Sequence, residues 1–217
     1  MDDQIIINKV VGFVKSELIH AEGGHDWWHT YRVWHTAKGI AKKEHADLFV
    51  VELGALLHDI ADAKFNDGDE DVGPRKAKAF LYSLCVNVDV ITHVENIIKH
   101  ISFKGGNEPQ TFKSAELDIV QDADRLDALG AIGIARAFNY GGYKNRELYN
   151  PERPPNLNMT KVEYQNSNAP TINHFYEKLL LLKDRMNTKT GKQMAERRHA
   201  YMQGFLEQFY DEWKGYG

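Results

Sequence analysis

The 217-residue sequence holds one cysteine and six prolines, and no apolar run approaches the ~20 residues that a membrane-spanning helix needs. A lone thiol forms no internal disulfide. In its apolar, helical setting, with no basic microenvironment evident, Cys85 reads as a small buried hydrophobe rather than a nucleophile. An excess of one charge is also missing: the net charge is -4, with 27 basic against 31 acidic side chains. That balance supplies no broad basic face for duplex nucleic acid, although small anions remain possible partners. The opening Met-Asp-Asp-Gln-Ile-Ile-Ile lacks the basic start, apolar stretch and small-residue cleavage site of a secretory signal, so the expected location is the cytoplasm. No stretch alternates with period two for long enough to argue a sheet, and there are no internal repeats or low-complexity tracts. What the chain does have is 42% hydrophobic and 11% aromatic residues, enough to bury a core in one large domain or two small ones.

Helical spacing dominates. Between Ile5 and His20, the residues Ile6, Val10, Phe13, Val14 and Leu18 make the stripe of a core-facing helix that Gly23-Gly24 would end. Trp27 to Glu44 and Asp47 to Asp62 predict two further helices, and the glycine-containing acidic stretch Asn66 to Gly73 separates them from a helix starting near Pro74 and running to about Leu84. Asp89 to His100 is another, followed by a loop from Phe103 to Pro109. Ser114 suits an N-cap for a helix extending through Asp124, Leu126 and Leu129. The segment of about residues 139–170, rich in proline, glycine and asparagine, predicts a long irregular loop, and such loops are usually functional. Helix returns over about residues 171–213.

Chemistry is suggested by ionisable groups in apolar helices. His58-Asp59 ends the otherwise apolar run Val-Val-Glu-Leu-Gly-Ala-Leu-Leu-His-Asp-Ile, where unpartnered burial would cost several kcal/mol. A bound cation would resolve that conflict. Adjacent helical residues point about 100° apart, so other elements must complete a coordination sphere. His29, on one helix face with Val33 and Ala37, and Asp124, in Val-Gln-Asp-Ala-Asp-Arg-Leu-Asp-Ala-Leu-Gly, are the candidates.

The order His29, His58-Asp59, Asp124, together with its apolar surroundings over about residues 24–130, resembles the H…HD…D signature of the HD-domain superfamily. Gly-His-Asp-Trp before His29 and Gln-Asp-Ala-Asp-Arg-Leu-Asp-Ala-Leu-Gly around Asp124 are similar to phrases of the small stand-alone bacterial HD hydrolases. The resemblance implies an all-α, single-domain HD-type helical bundle over residues 1–217, one divalent metal ion, and hydrolysis of a phosphoester or phosphoanhydride in a nucleotide. Two imidazoles and two carboxylates leave an octahedral ion two open positions, one for water and one for a phosphate oxygen, which suits Mn²⁺ or Mg²⁺.

Asp62 falls where many HD phosphohydrolases carry a catalytic acid, often glutamate. It either accepts a proton from water or pairs with Lys64. Lys64 and Arg125 are candidate substrate contacts or members of a charged network. His174 and Lys178, with Lys183 and Arg185, bring positive charge that could meet a polyphosphate or form a solvated helix face. His100 is placed to face a nucleotide. His93, seven residues earlier, lies ~10 Å away along the helix, so the two cannot share an ion directly. His25 and Asp26 read as groups behind the metal ligands or as a helix cap. The favoured reaction is nucleoside triphosphate to monophosphate plus pyrophosphate. The alternatives are a 5'-nucleotidase acting on monophosphates, a non-catalytic nucleotide or metal sensor, and a two-iron oxygenase that would need further ligands.

Overall fold

The computed structural model describes residues 2–19, 21, 25–61, 69, 71–101 and 111–216, with the side chains of 161, 164 and 165 left aside. Helices account for its regular structure, and no strand occurs among the described residues. Two compact units, residues 1–124 and 125–217, are distinguished by their internal packing.

The first unit contains α1 (Asp3–Glu17), α2 (Trp27–Glu44), α3 (Leu48–Leu57), α4 (Val72–Ser83), α5 (Val88–Ile101) and most of α6 (Ala115–Asp127). Its core stacks Val10 and Val14 of α1, Val33 and Ile40 of α2, Leu53 and Leu56 of α3, Ile97 of α5 and Val120 of α6, all inaccessible to solvent. Helix starts follow side-chain chemistry. Asp26 Oδ1 accepts from the His29 amide at 2.8 Å, Asp47 Oδ1 from the amides of Phe49 and Val50, and Ser114 Oγ from the amide of Leu117 at 3.0 Å. Gly54 allows α3 and α5 to meet, since a Cβ there would lie 3.1 Å from Ile97 Cγ2.

Two readings change in this unit. The third helix stops at Leu57 instead of reaching Asp62, so His58 and Asp59 sit on the turn that follows it. Cys85 is exposed, not buried. It occupies the left-handed position after α4, with φ 55°, where its amide donates to Tyr82 and the Val86 amide to Leu81. This closing pattern turns the Cys85 side chain outward while Val86 packs inward.

The second unit holds α7 (Gly130–Tyr143), α8 (Lys161–Asn166), α9 (Thr171–Glu177), a 3₁₀ helix (Leu179–Arg185) and α10 (Lys189–Trp213). Its core gathers Phe175, Ile172, Ala195, Met202 and Leu206, with Phe138 and Phe205 rings 5.9 Å apart. The helix expected to run on past Asp124 breaks after Asp127. Gly130, with φ 73°, restarts the chain as α7. Residues 139–143, read as irregular, finish α7, and α8 interrupts the remainder of that segment. The C-terminal helix expected from Thr171 is divided into three pieces.

Candidate metal centre

Of the four side chains singled out as ligands, His29, His58 and Asp124 bring their donor atoms together in the first unit, and Asp59 joins them through His29. α2 carries His29 on its buried face, the turn after α3 carries His58 and Asp59, and α6 carries Asp124. His29 Nε2 is 3.3 Å from His58 Nε2, 3.4 Å from Asp124 Oδ1 and 4.0 Å from Asp59 Oδ2, and His58 Nε2 is 4.0 Å from Asp124 Oδ1. Two overlapping groups, His29–His58–Asp124 and His25–His29–Asp59, each place their donor atoms within 4.8 Å of one another and share His29.

The His29, His58 and Asp124 donors fit a divalent ion. Atoms about 2.1 Å from one ion stand roughly 3.0 Å apart at right angles and about 4.2 Å apart across it. The observed separations of 3.3 to 4.0 Å lie between those limits. The tautomer agrees as well. His58 Nδ1 donates to the Ala55 carbonyl at 2.8 Å, so its Nε2 carries a lone pair directed at the cluster. The facing His29 and His58 Nε2 atoms are satisfied either by one proton shared as an N–H···N hydrogen bond or by a cation bound between two lone pairs.

The carboxylates are the more open part of the cluster: the His29 and His58 side chains are 2% and 4% exposed, whereas Asp59 is 19% and Asp124 is 39%. Behind Asp59 stands His25, whose Nδ1 is 2.5 Å from Asp59 Oδ2. That hydrogen bond lifts the half-exposed His25 imidazole above its ordinary value. Burial pushes the Asp59 carboxyl up, but the His25 hydrogen bond and the positive fields of His58, His25 and His29 outweigh it and leave the carboxyl below its usual range. Both readings of the His25-Asp26 pair hold, since Asp26 caps α2 and His25 holds a cluster carboxylate. His25, four residues before His29, reaches the cluster through its hydrogen bond to Asp59.

The remaining candidates scatter. Asp62 and Lys64 lie outside the described residues. His100 Nδ1 donates to the Asn96 carbonyl and its Nε2 is 3.1 Å from Thr111 Oγ1, whereas His93 Nε2 approaches Ser114 Oγ at 2.9 Å and Glu116 Oε2 at 3.4 Å. In the second unit Arg125 donates to the Arg185 carbonyl at 2.7 Å, and Lys178 is exposed at the end of α9. Burial, reinforced by the charges of Lys178 and Arg146, pushes His174 down to about 4. At neutral pH His174 is therefore uncharged, and it does not add the positive charge expected of it.

The model of the HD domain matches residues 27–129, which span α2, the His58-Asp59 turn and α6. The YpgQ protein of Bacillus subtilis (strain 168) is 41% identical over 204 residues, 90% of this chain and 88% of its own. An HD-superfamily hydrolase from Bacillus thuringiensis superposes with a TM-score of 0.79 at 44% identity, covering 98% of this chain and 99% of that one. The crystal structure of B. subtilis YpgQ in complex with ADP superposes with a TM-score of 0.78 at 34% identity, covering 98% and 97%. With the whole length shared at such identity and the histidine–aspartate cluster in place, this chain belongs to the HD-domain superfamily and is a metal-dependent phosphohydrolase.

Proposed function

We propose that the protein hydrolyses nucleotides, cleaving nucleoside triphosphates to monophosphate and pyrophosphate, with one Mn²⁺ or Mg²⁺ ion held by His29, His58, Asp59 and Asp124. The observation that carries this reading is the convergence of His29 Nε2, His58 Nε2 and Asp124 Oδ1 on one point. The ADP in the YpgQ crystal structure supports a nucleotide as ligand. When bound, a divalent cation polarises a phosphoryl oxygen and lowers the pKa of water.

The chain's own groups do the rest. The Ala55 carbonyl keeps the proton on His58 Nδ1, and His25 orients Asp59. Asp62 accepts the proton of the attacking water. Phosphate contacts are assigned to Lys64, His100, Arg125, His174 and Lys178, with the neutral His174 acting as a hydrogen-bond donor. All 217 residues serve this activity as one functional domain in the cytoplasm. No described helix is long and apolar enough to cross a membrane.

A panel of nucleoside mono-, di- and triphosphates incubated with the protein and Mn²⁺ tests the proposal. Pyrophosphate should appear from triphosphates, and Asp124→Ala should lower the rate by at least ~100-fold. Orthophosphate released from monophosphates alone would mark a 5'-nucleotidase, and no release from any member defeats the proposal.

A further inference from the structure

The second unit contains a cavity of about 320 Å³ to which the metal cluster contributes no residue. One wall comes from the irregular chain after α7, through Tyr149, Pro151 and Pro154, and the other from α9 and α10, through Asn173, Tyr176 and Tyr210. The irregular wall is braced at several points. Arg153 donates to Glu147 Oε2 at 3.0 Å and to the Asn168 carbonyl at 2.9 Å, while Arg146 donates to the Ser167 carbonyl at 2.7 Å. The amides of Thr171 and Ile172 donate back to the carbonyls of Glu147 and Leu148. A long loop fixed by this many bonds presents a shaped surface.

Its lining has a particular chemistry. The Tyr149 ring is held edge-on by Tyr210 and Trp213, at 5.3 and 5.1 Å, and Tyr176 is hydrogen-bonded to Tyr210. Rigid aromatic and proline faces suit a flat ring and carry little entropy to lose on binding. Asn173 is 2% exposed; its Nδ2 donates to the Arg153 carbonyl at 2.9 Å, and its Oδ1 has no hydrogen-bond partner among the described residues. Such a buried amide oxygen is a standing acceptor for a ligand N–H. The volume lies at the lower end of the range for small-molecule sites, roughly 300–1,000 Å³.

We infer that this tyrosine- and proline-walled cavity binds a planar heteroaromatic ring bearing an N–H donor, of the nucleobase class, stacked on the tyrosines and paired with Asn173 Oδ1. An amide is the side chain that pairs with a base edge through one donor and one acceptor, and Asn173 retains its second N–H for that purpose. This assignment does not rest on the metal reading.

Adenosine, which has no phosphate to hydrolyse, is the probe. Titrated calorimetrically into the full-length protein without metal, it should bind saturably, with saturation-transfer NMR showing contacts to its base. Tyr176→Ala should weaken binding roughly tenfold, the loss of one stacking face, with helix content by circular dichroism unchanged. Asn173→Ala should weaken it further; should that variant fail to fold, Tyr176→Ala and the ligand series decide alone. His58→Ala should bind adenosine like the wild type. The inference is overturned by absent saturation at millimolar adenosine or by full affinity in Tyr176→Ala. It is equally overturned by loss of binding in His58→Ala, or by phenol or a proline-rich peptide binding as tightly as adenosine.

Discussion

Asp59 has two neighbours that compete for one carboxylate oxygen: His25 at 2.5 Å and His29 Nε2 at 4.0 Å. The shorter contact fixes the orientation from which Asp59 can face an ion. His25→Ala should therefore leave the fold intact while lowering Mn²⁺ affinity about tenfold, measured by metal titration. An unchanged affinity would reduce His25 to a surface group.

His174 carries a different signature. Its folded value of about 4 lies below the unfolded 6.5, so the fold favours the neutral ring. Above pH 6.5 neither state binds the proton, and this residue adds no slope. As pH falls from 6.5 towards 4, the unfolded chain takes up a proton that the folded chain refuses, and stability declines by up to about 3 kcal/mol before levelling off. Urea denaturation at several pH values in that window should show the decline, and His174→Gln should flatten it.

Element boundaries depend on close approaches as much as on propensity. A Cβ on Gly133 would lie 2.3 Å from the Ala128 carbonyl oxygen, a backbone atom that cannot swing aside. Despite the helix propensity gained, Gly133→Ala should lower stability by roughly 2 kcal/mol or more, seen as a reduced denaturant midpoint at constant slope.

This α6–α7 junction also shows where sequence reading runs out. Asp127-Ala128-Leu129 carries no breaker of its own, and Ala and Leu are strong helix formers. The break needs the left-handed Gly130, on which the Arg198 side chain packs while donating to the Leu126 carbonyl at 2.5 Å. A partner 72 residues away leaves no local trace. By contrast α2 was readable from Trp27 to Glu44, because its apolar period and its Asp26 cap lie within the segment itself. His58, Asp59 and Asp124 were legible for a related reason, since costly polar groups in apolar helices demand an explanation. Cys85 was misread because its exposure follows from a helix-closing turn usually made with glycine.

For the molecule as a whole, ligand linkage is the accessible observable. An ion that binds only the folded chain raises its stability by about 2.7 kcal/mol at a hundred times Kd, equivalent to a Tm rise of roughly 5–10 °C at this size. Differential scanning fluorimetry with Mn²⁺ should show that rise, EDTA should reverse it, and His58→Ala should abolish it. A Tm indifferent to Mn²⁺ would count against a folded-state site.

The outward-facing thiol in the turn after α4 gives the same question a ruler. Since Cys85 is the chain's one cysteine, a nitroxide attached there marks every molecule at a single known point without any substitution. Both it and the histidine–aspartate cluster belong to residues 1–124, so pulsed electron resonance between the spin label and paramagnetic Mn²⁺ would measure one distance that the ion's position in the cluster must match, a check independent of catalysis.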